Sequence, residues 1–460
     1  MADGGFGTRD DVTHLGTVVG DADRGRIIAL ATSGVFDDPA LVRAFWNRDA
    51  ADIDSGLQGH LYTRPEDIFV VRIPRADDVA ISRFATALDV NAQIWAAATG
   101  IRLSSSRSRL VMACTVARSG TGPLAPHLTW HVGALADAAA RQFRSGNGAL
   151  LAFVLDRATL ERLPLESIDA ALSEQAATTS RFMDKNESMR ALQTIGVSAA
   201  ESWGFTPETW RRTGPHLLPA DGRYVFKPSG GAAGIGVYFD HGSGSTARAI
   251  ENHVESLQAT GRLPGRFQVQ RFLRGTPHGA TAFLSGGVAV DILEAHRQVI
   301  ASDGRWVGAR WTPRIQAAQS EAAGNIYARL AGTHALTGLV GVDMIAGMVI
   351  EVNPRLTASA PIAHLLRRAR VIREHRGPGF RMRQIDVNTS VAVPWDAVAD
   401  GRLCALIDRL DIEFGVLALP QGLNPFGDSR FVFVNDDSRG TAQRFFRRHL
   451  AGWLSGEHPR

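Results

Sequence analysis

The stretch from Gly338 to Arg355 constrains the fold more than any other part of this chain. It reads GLVGVDMI (338–345), a short AG turn, and MVIEVNPR (348–355). Two apolar runs around a two-residue turn predict a hairpin of buried strands. Counting pleats outward from the turn places Asp343 and Glu351 near each other across the ladder. Two carboxylates among Val, Ile and Met are costly unless they are paired or bound to cations. Asn353 falls on the face of Glu351, and Arg355 joins it if the strand continues. Asp343, Glu351 and Asn353 supply hard oxygens of the kind that hold Mg²⁺ shared with phosphates. A structural ion pair between Glu351 and Arg355 is the alternative.

Cation usage points the same way. Of 50 basic side chains, only Lys185 and Lys227 are not Arg. Arg is a flat forked donor, whereas Lys is a compact point charge suited to one phosphate oxygen. Lys227 lies in VFKPSGGAAGIGV (225–237), where an apolar strand meets a Gly-rich loop and a second apolar run. Ser229, Gly230, Gly231, Gly234 and Gly236 can bring backbone N–H groups close to phosphate oxygens, because Gly lacks the blocking Cβ. A Gly-rich loop alone also fits a plain hairpin; the adjoining Lys227 favours phosphate. Lys185 stands near the start of a helix that Gly196 closes. A surface Lys is the bland reading there, and the rarity of Lys argues against it.

Hydrophobic residues make up 45% and charged residues 21%, a globular composition, with a formal charge of only +4. No basic stripe with interleaved aromatics suggests nucleic acid. Cys114 and Cys404 are far apart in apolar surroundings and read as core residues. No apolar run reaches the ~18 residues of a membrane span, so a cytoplasmic protein is expected.

At 49.5 kDa the chain has room for two or three domains. Buried strands are expected at 26–31, 67–74 and 149–155, a turn at 32–34, and helices at 39–46 and 134–143. This alternation suggests a Rossmann-like parallel sheet. No GxGxxG follows the first strand, and Asp37 and Asp38 read as a cap or turn. A polar boundary is expected near 172–182. Then come strands at 223–240 around the Gly loop and at 267–275, a meander around Gly286-Gly287, an amphipathic helix at 320–336, the hairpin, and an Arg-dense helix at 361–385. Two strands around 419–427 and a helix at 441–454 end the chain. Arg297 and Arg310, between the meander and the hairpin, are candidates for contact with an anionic substrate.

In chain order these pieces resemble the ATP-grasp superfamily over roughly 181–360. The resemblance implies an α/β protein, α+β in its ATP-grasp part. Residues 1–180 would form a Rossmann-like pre-ATP-grasp domain, 181–375 the ATP-grasp fold and 376–460 a C-terminal extension. It implies ATP and two Mg²⁺ as cofactors. Lys185 and Lys227 match the nucleotide lysines. Gln270, Arg271, Phe272 and Leu273 resemble the hinge that holds adenine, although the family often has an acid at the Gln270 position. Asp343, Glu351 and Asn353 match the Mg²⁺ ligands. Arg355 matches the arginine that stabilises the transferring phosphate, and Arg297 and Arg310 are added as acyl-phosphate or carboxylate contacts.

The implied activity is an ATP-dependent carboxylate–amine ligase that releases ADP and phosphate. Its substrates would be a small carboxylic or amino acid and a peptide or other amine, with no nucleic acid and no membrane as partner. A narrower resemblance is to the pheganomycin-type peptide ligases, which implies a role in peptide natural-product biosynthesis. Homodimers are common among similar enzymes. A phosphotransferase on the same scaffold and a non-catalytic nucleotide-binding module are the competing readings.

Overall fold

The computed structural model describes residues 170–456 apart from 231–233, 235, 241, 286–288, 302–303, 305, 334–335, 337, 356, 389–390, 426–427 and 438. Before that it describes 26–29, 59–62, 68–73, 78–103, 110–116, 127–131 and 149–152. The turn at 32–34, the helices at 39–46 and 134–143, Asp37, Asp38, Gly231, Gly286-Gly287 and the side chain of Cys114 lie outside the described residues.

The N-terminal elements are β1 (Arg26–Ala29), β2 (Ile68–Ile73), α1 (Asp78–Thr99), β3 (Leu110–Val116), β4 (His127–His131) and β5 (Ala149–Ala152). Their sheet has the order β4-β3-β2-β1-β5. β1 is parallel to both β2 and β5, β2 is parallel to β3, and β4 runs antiparallel at one edge. Short Val- and Ile-rich runs suit such a parallel sheet.

Helices α2 (Ala170–Met183) and α3 (Lys185–Thr194) follow. The polar stretch at 172–182, expected as a boundary, is helical. Ala176, Thr179 and Phe182 recur at helical spacing and are buried on one face. Next come β6 (Ser202–Phe205), α4 (Pro207–Leu217), β7 (Tyr224–Pro228), α5 (Ala247–Ala259) and β8 (Phe267–Arg271). β6, β8 and β7 make a three-stranded antiparallel sheet. An aromatic core of Phe205, Trp210, Tyr224, Phe226 and Phe267 holds it to α4 and α5. After the Gly loop the chain makes two isolated bridges to β7, Phe226 with Tyr238 and Tyr224 with Ser245, rather than a second full strand. Between the two bridges the N–H groups of Ser243 and Gly244 both donate to the Asp240 carbonyl, and this turn interrupts the ladder.

A nine-stranded sheet dominates the rest. Its first members are β9 (Pro277–Ser285), β10 (Ala289–Ile300) and β11 (Trp306–Trp311). Helix α6 (Pro313–Thr333) then leads to β12 (Gly338–Ile345) and β13 (Met348–Asn353). Pro313 at the first helical position starts α6 earlier than its apolar stripe suggests. Ala323, Tyr327 and Leu330 of α6 pack on Ala280, Ala282, Val340 and Val342. The remaining elements are α7 (Ala360–Arg367), α8 (Ala369–Arg376), β14 (Ile385–Asn388), β15 (Val391–Ala392), α9 (Trp395–Ala399), α10 (Arg402–Phe414), β16 (Leu417–Gly422), β17 (Asp428–Val434) and α11 (Thr441–Ser455). The sheet order is β13-β12-β9-β10-β11-β14-β17-β15, with β16 also on β17. β11 pairs with β14 from Trp311–Ile385 to Gly308–Asn388, so one sheet runs through the junction at 375/376. Helix α1 reaches this region, where the Trp95 indole N–H donates to the Pro420 carbonyl at 2.7 Å. No helix among the described residues is long and apolar enough to cross a membrane. Cys404 is a free thiol, half-buried on α10.

Candidate functional site

Asp184 caps α3 and also ties it to β7. Its Oδ1 accepts from the backbone N–H groups of Asn186 (2.9 Å) and Glu187 (3.1 Å) and from the Ser229 hydroxyl (2.8 Å). The Lys185 N–H donates to the Ser229 carbonyl at 2.9 Å. The helix start is thereby fixed beside the Gly loop. Lys185 Nζ lies 3.6 Å from Glu351 Oε1 and 3.4 Å from the Gly230 carbonyl. Lys227, on β7, donates from Nζ to the Ile350 carbonyl at 3.2 Å, and Gln270 Nε2 donates to the same oxygen at 3.2 Å. Arg355 Nη1 contacts Met183 Sδ at 3.4 Å. All three cations are buried.

Asp343 and Glu351 stand directly opposite each other in the β12–β13 register, and Asn353 opposes Gly341. Asp343 Oδ1 accepts from Gln298 Nε2 at 2.6 Å, and Oδ2 accepts from Asn353 Nδ2 at 3.3 Å. Burial, reinforced by the facing Glu351, pushes the Asp343 pKa up to about 7. Glu351 goes the other way. Burial would raise it, but Lys185, Lys227 and Arg355 together hold it below the usual value. Burial also lowers Lys227 and Arg355, against the pull of Glu351. Buried cationic groups that are costly to keep charged are suited to an arriving polyanion.

Among the described residues no group of three His, Cys, Asp or Glu could hold a metal on its own. Two facing carboxylates and an amide form an incomplete hard-oxygen set. That fits Mg²⁺ bound jointly with phosphate oxygens and does not fit a protein-only cage.

The Gly loop contributes Gly230, Gly234 and Gly236. The last two have φ of +76° and +71°, a backbone conformation that favours Gly. In the hinge segment the N–H of Arg271 donates to the Glu201 carbonyl (2.8 Å) and that of Phe272 to the Arg223 carbonyl (2.7 Å).

Arg297 and Arg310 are not brought to this cluster. Asp343, Gly279 and His296 form one row across β12, β9 and β10, and Gln298 shares their face. Arg297 lies between His296 and Gln298, so strand alternation turns it to the opposite face. It is exposed there, paired in register with Arg310. Arg310 Nε donates to Asp386 Oδ1 at 2.6 Å. Both arginines were candidates for contact with an anionic substrate, and the pleat turns them to the sheet face opposite the one that carries Asp343.

The same pleat supplies side chains that reading the sequence did not select. Glu294, His296 and Gln298 alternate along β10. Glu294 is fully buried, with Oε1 accepting from Thr281 Oγ1 (2.6 Å) and Ser359 Oγ (3.2 Å), and Oε2 bonded to His296 Nδ1 (2.7 Å). Burial would lower the His296 pKa, but Glu294 and Asp343 raise it overall. The period of two in Glu-x-His-x-Gln was the available signal.

A family model described as an ATP-grasp domain matches residues 183–359. No curated protein matches the chain. Solved structures similar to it include an N5-carboxyaminoimidazole ribonucleotide synthetase from Thermus thermophilus (12% identity, TM-score 0.49, covering 92% of this chain and 97% of that one). An L-amino acid ligase from Bacillus licheniformis has 11% identity and a TM-score of 0.47, covering 92% and 96%. The biotin carboxylase domain of the 2-oxoglutarate carboxylase from Hydrogenobacter thermophilus, solved with MgADP and bicarbonate, has 15% identity and a TM-score of 0.37, covering 56% and 62%. Lys185, Lys227, Glu351 and Arg355, which converge in space, all lie inside the matched span, and residues 183–359 are an ATP-grasp domain.

Proposed function

We propose that this protein is an ATP-dependent carboxylate–amine ligase. The observation that carries the reading is the convergence of Lys185, Lys227 and Arg355 on the facing Asp343 and Glu351. A carboxylate is a poor acyl donor, because its leaving group would be oxide. Accepting the γ-phosphoryl group of ATP converts it into an acyl phosphate, and an amine can then displace phosphate to give an amide. Such transfers need positioning and charge stabilisation more than a protein nucleophile.

Lys185 and Lys227 would hold the nucleotide phosphates and the Gly loop would cover them. Arg355 would meet the charge that gathers on the transferring group. Asp343, Glu351 and Asn353 would hold Mg²⁺, which neutralises phosphate charge when bound. Residues 1–180, 181–375 and 376–460 are read as a Rossmann-like pre-ATP-grasp domain, the ATP-grasp fold and a C-terminal extension. The parallel β1, β2, β3 and β5 support the first assignment. The narrower reading is a pheganomycin-type peptide ligase of natural-product biosynthesis, joining an amino or guanidino acid to a peptide amine.

The test is turnover with Mg²⁺-ATP, a panel of amino and guanidino acids, and short peptides as amines, read by mass spectrometry. The expected product has the mass of acid plus peptide minus water, with ADP and phosphate released. A phosphorylated acceptor without condensation would make the protein a phosphotransferase. AMP with pyrophosphate would refute the acyl-phosphate route.

A further inference from the structure

The Glu294–His296 pair lies beside the nucleotide cluster but takes no part in holding nucleotide in the proposed ligase. We propose that His296 Nε2 is the proton acceptor for the attacking amine, with Glu294 as its positioning residue. This deepens the ligase reading and rests on it.

Three observations support the assignment. First, Glu294 accepts hydroxyl hydrogen bonds from Thr281 and Ser359 on one oxygen and is fully buried. A carboxylate held that way is an acceptor, so the 2.7 Å contact places a hydrogen on His296 Nδ1 and leaves Nε2 as the basic edge. None of the described residues hydrogen-bonds Nε2. Second, the ring has one defined place. A Cβ at Gly279 would lie 2.5 Å from both Cε1 and Nε2 of His296 and 3.2 Å from Asp343 Oδ1. The basic edge therefore lies over Gly279, on the sheet face that carries Asp343. Third, Ser359 joins this network from the segment just beyond Arg355, so the dyad is tied both to β9, through Thr281, and to the chain after β13.

The step balances without another reactant. The amine nitrogen forms a bond to the acyl carbon, the carbon–oxygen bond to phosphate breaks, and phosphate departs. The proton shed by nitrogen passes to Nε2 while Glu294 stabilises the resulting imidazolium. This is the base-plus-orienter logic of general base catalysis on a strand pair.

The test compares His296→Asn and Glu294→Gln with wild type in two arms, using the same panel of acids and peptides. One arm supplies the peptide amine. The other supplies hydroxylamine, which is unprotonated at neutral pH and attacks acyl phosphates without a base. We expect His296→Asn to lose about 100-fold or more in amide formation. Its hydroxamate formation should stay within about threefold of wild type, with Glu294→Gln between the two. Thermal protection by Mg²⁺-ATP, unchanged from wild type, would exclude misfolding. Equal loss in both arms would overturn the proposal, because the ring would then serve the acyl phosphate or the fold. Loss in neither arm would also overturn it. Wild type giving neither amide nor hydroxamate is a different pattern, which refutes the ligase reading and the proposal with it.

Discussion

Two strand pairs of the same sheet carry charge in opposite ways. In β12–β13, Asp343 and Glu351 face each other on the sheet face where Lys185, Lys227 and Arg355 arrive from other elements. In β10–β11, Arg297 and Arg310 face each other on the far side, and Arg310 is satisfied by Asp386 of β14. Both pairs read as functional in a one-dimensional scan. One residue of pleat separates His296 and Gln298, which reach the site, from Arg297, which does not. Charge density along a strand therefore says little until the face is known.

The comparison breaks first at Lys227. Lys227→Met keeps the stem and removes the ammonium, so ADP formation should fall by about 10³ in kcat/KM. A loss below tenfold would mean that the buried cluster is not the nucleotide site. Gln298→Leu sharpens the same contrast from within β10. It removes the donor at 2.6 Å from Asp343, and Mg²⁺ affinity measured by titration calorimetry in the presence of ADP should weaken by about 10-fold or more. Arg297→Gln, one residue away, should leave that affinity unchanged.

Arg310→Leu should separate stability from activity. It strips the partly exposed cation from buried Asp386 and leaves Gln384 as a remaining partner, costing about 1–3 kcal/mol in urea unfolding. Turnover at saturating substrates should stay near wild type, and a large loss there would return Arg310 to the site.

A last effect is absent at neutral pH and concerns acid. His364 of α7 is buried against Trp95, and burial together with Arg368 and Arg367 lowers its pKa to about 3. The unfolded chain binds a proton near its ordinary value of 6.5 and the native state does not. Stability is thus fully present above about 6.5 and falls as pH drops toward 3, by up to about 1.4 kcal/mol per pH unit. His364→Gln should flatten that slope in acid unfolding curves.

Much of the site is legible in the sequence. The apolar hairpin with internal carboxylates, the two isolated lysines and the Gly loop are local patterns, and local patterns survive in one dimension. The two-residue connection at Ala346-Gly347 sets the first pairs of β12–β13, Ile345 with Met348 and Met344 with Val349. A β-bulge at the next step is what brings Asp343 opposite Glu351, and the turn alone does not dictate it. Whatever another element sets is not legible in that way. The polar run at 172–182 is helical because its buried face packs near α3. The hinge N–H groups of Arg271 and Phe272 are committed to Glu201 and Arg223, far from them in sequence.

Which residue types are available for phosphate and metal chemistry is a property of the linear chain, since the use of Arg for nearly every cation makes the two lysines visible. Which charges share a face is a property of the folded sheet. β9 stands between β10 and β12, and the small residue Gly279 lets His296 and Asp343 approach across it. That adjacency depends on sheet order and on the absence of one Cβ, and neither is written in the spacing of His296 and Asp343 along the chain.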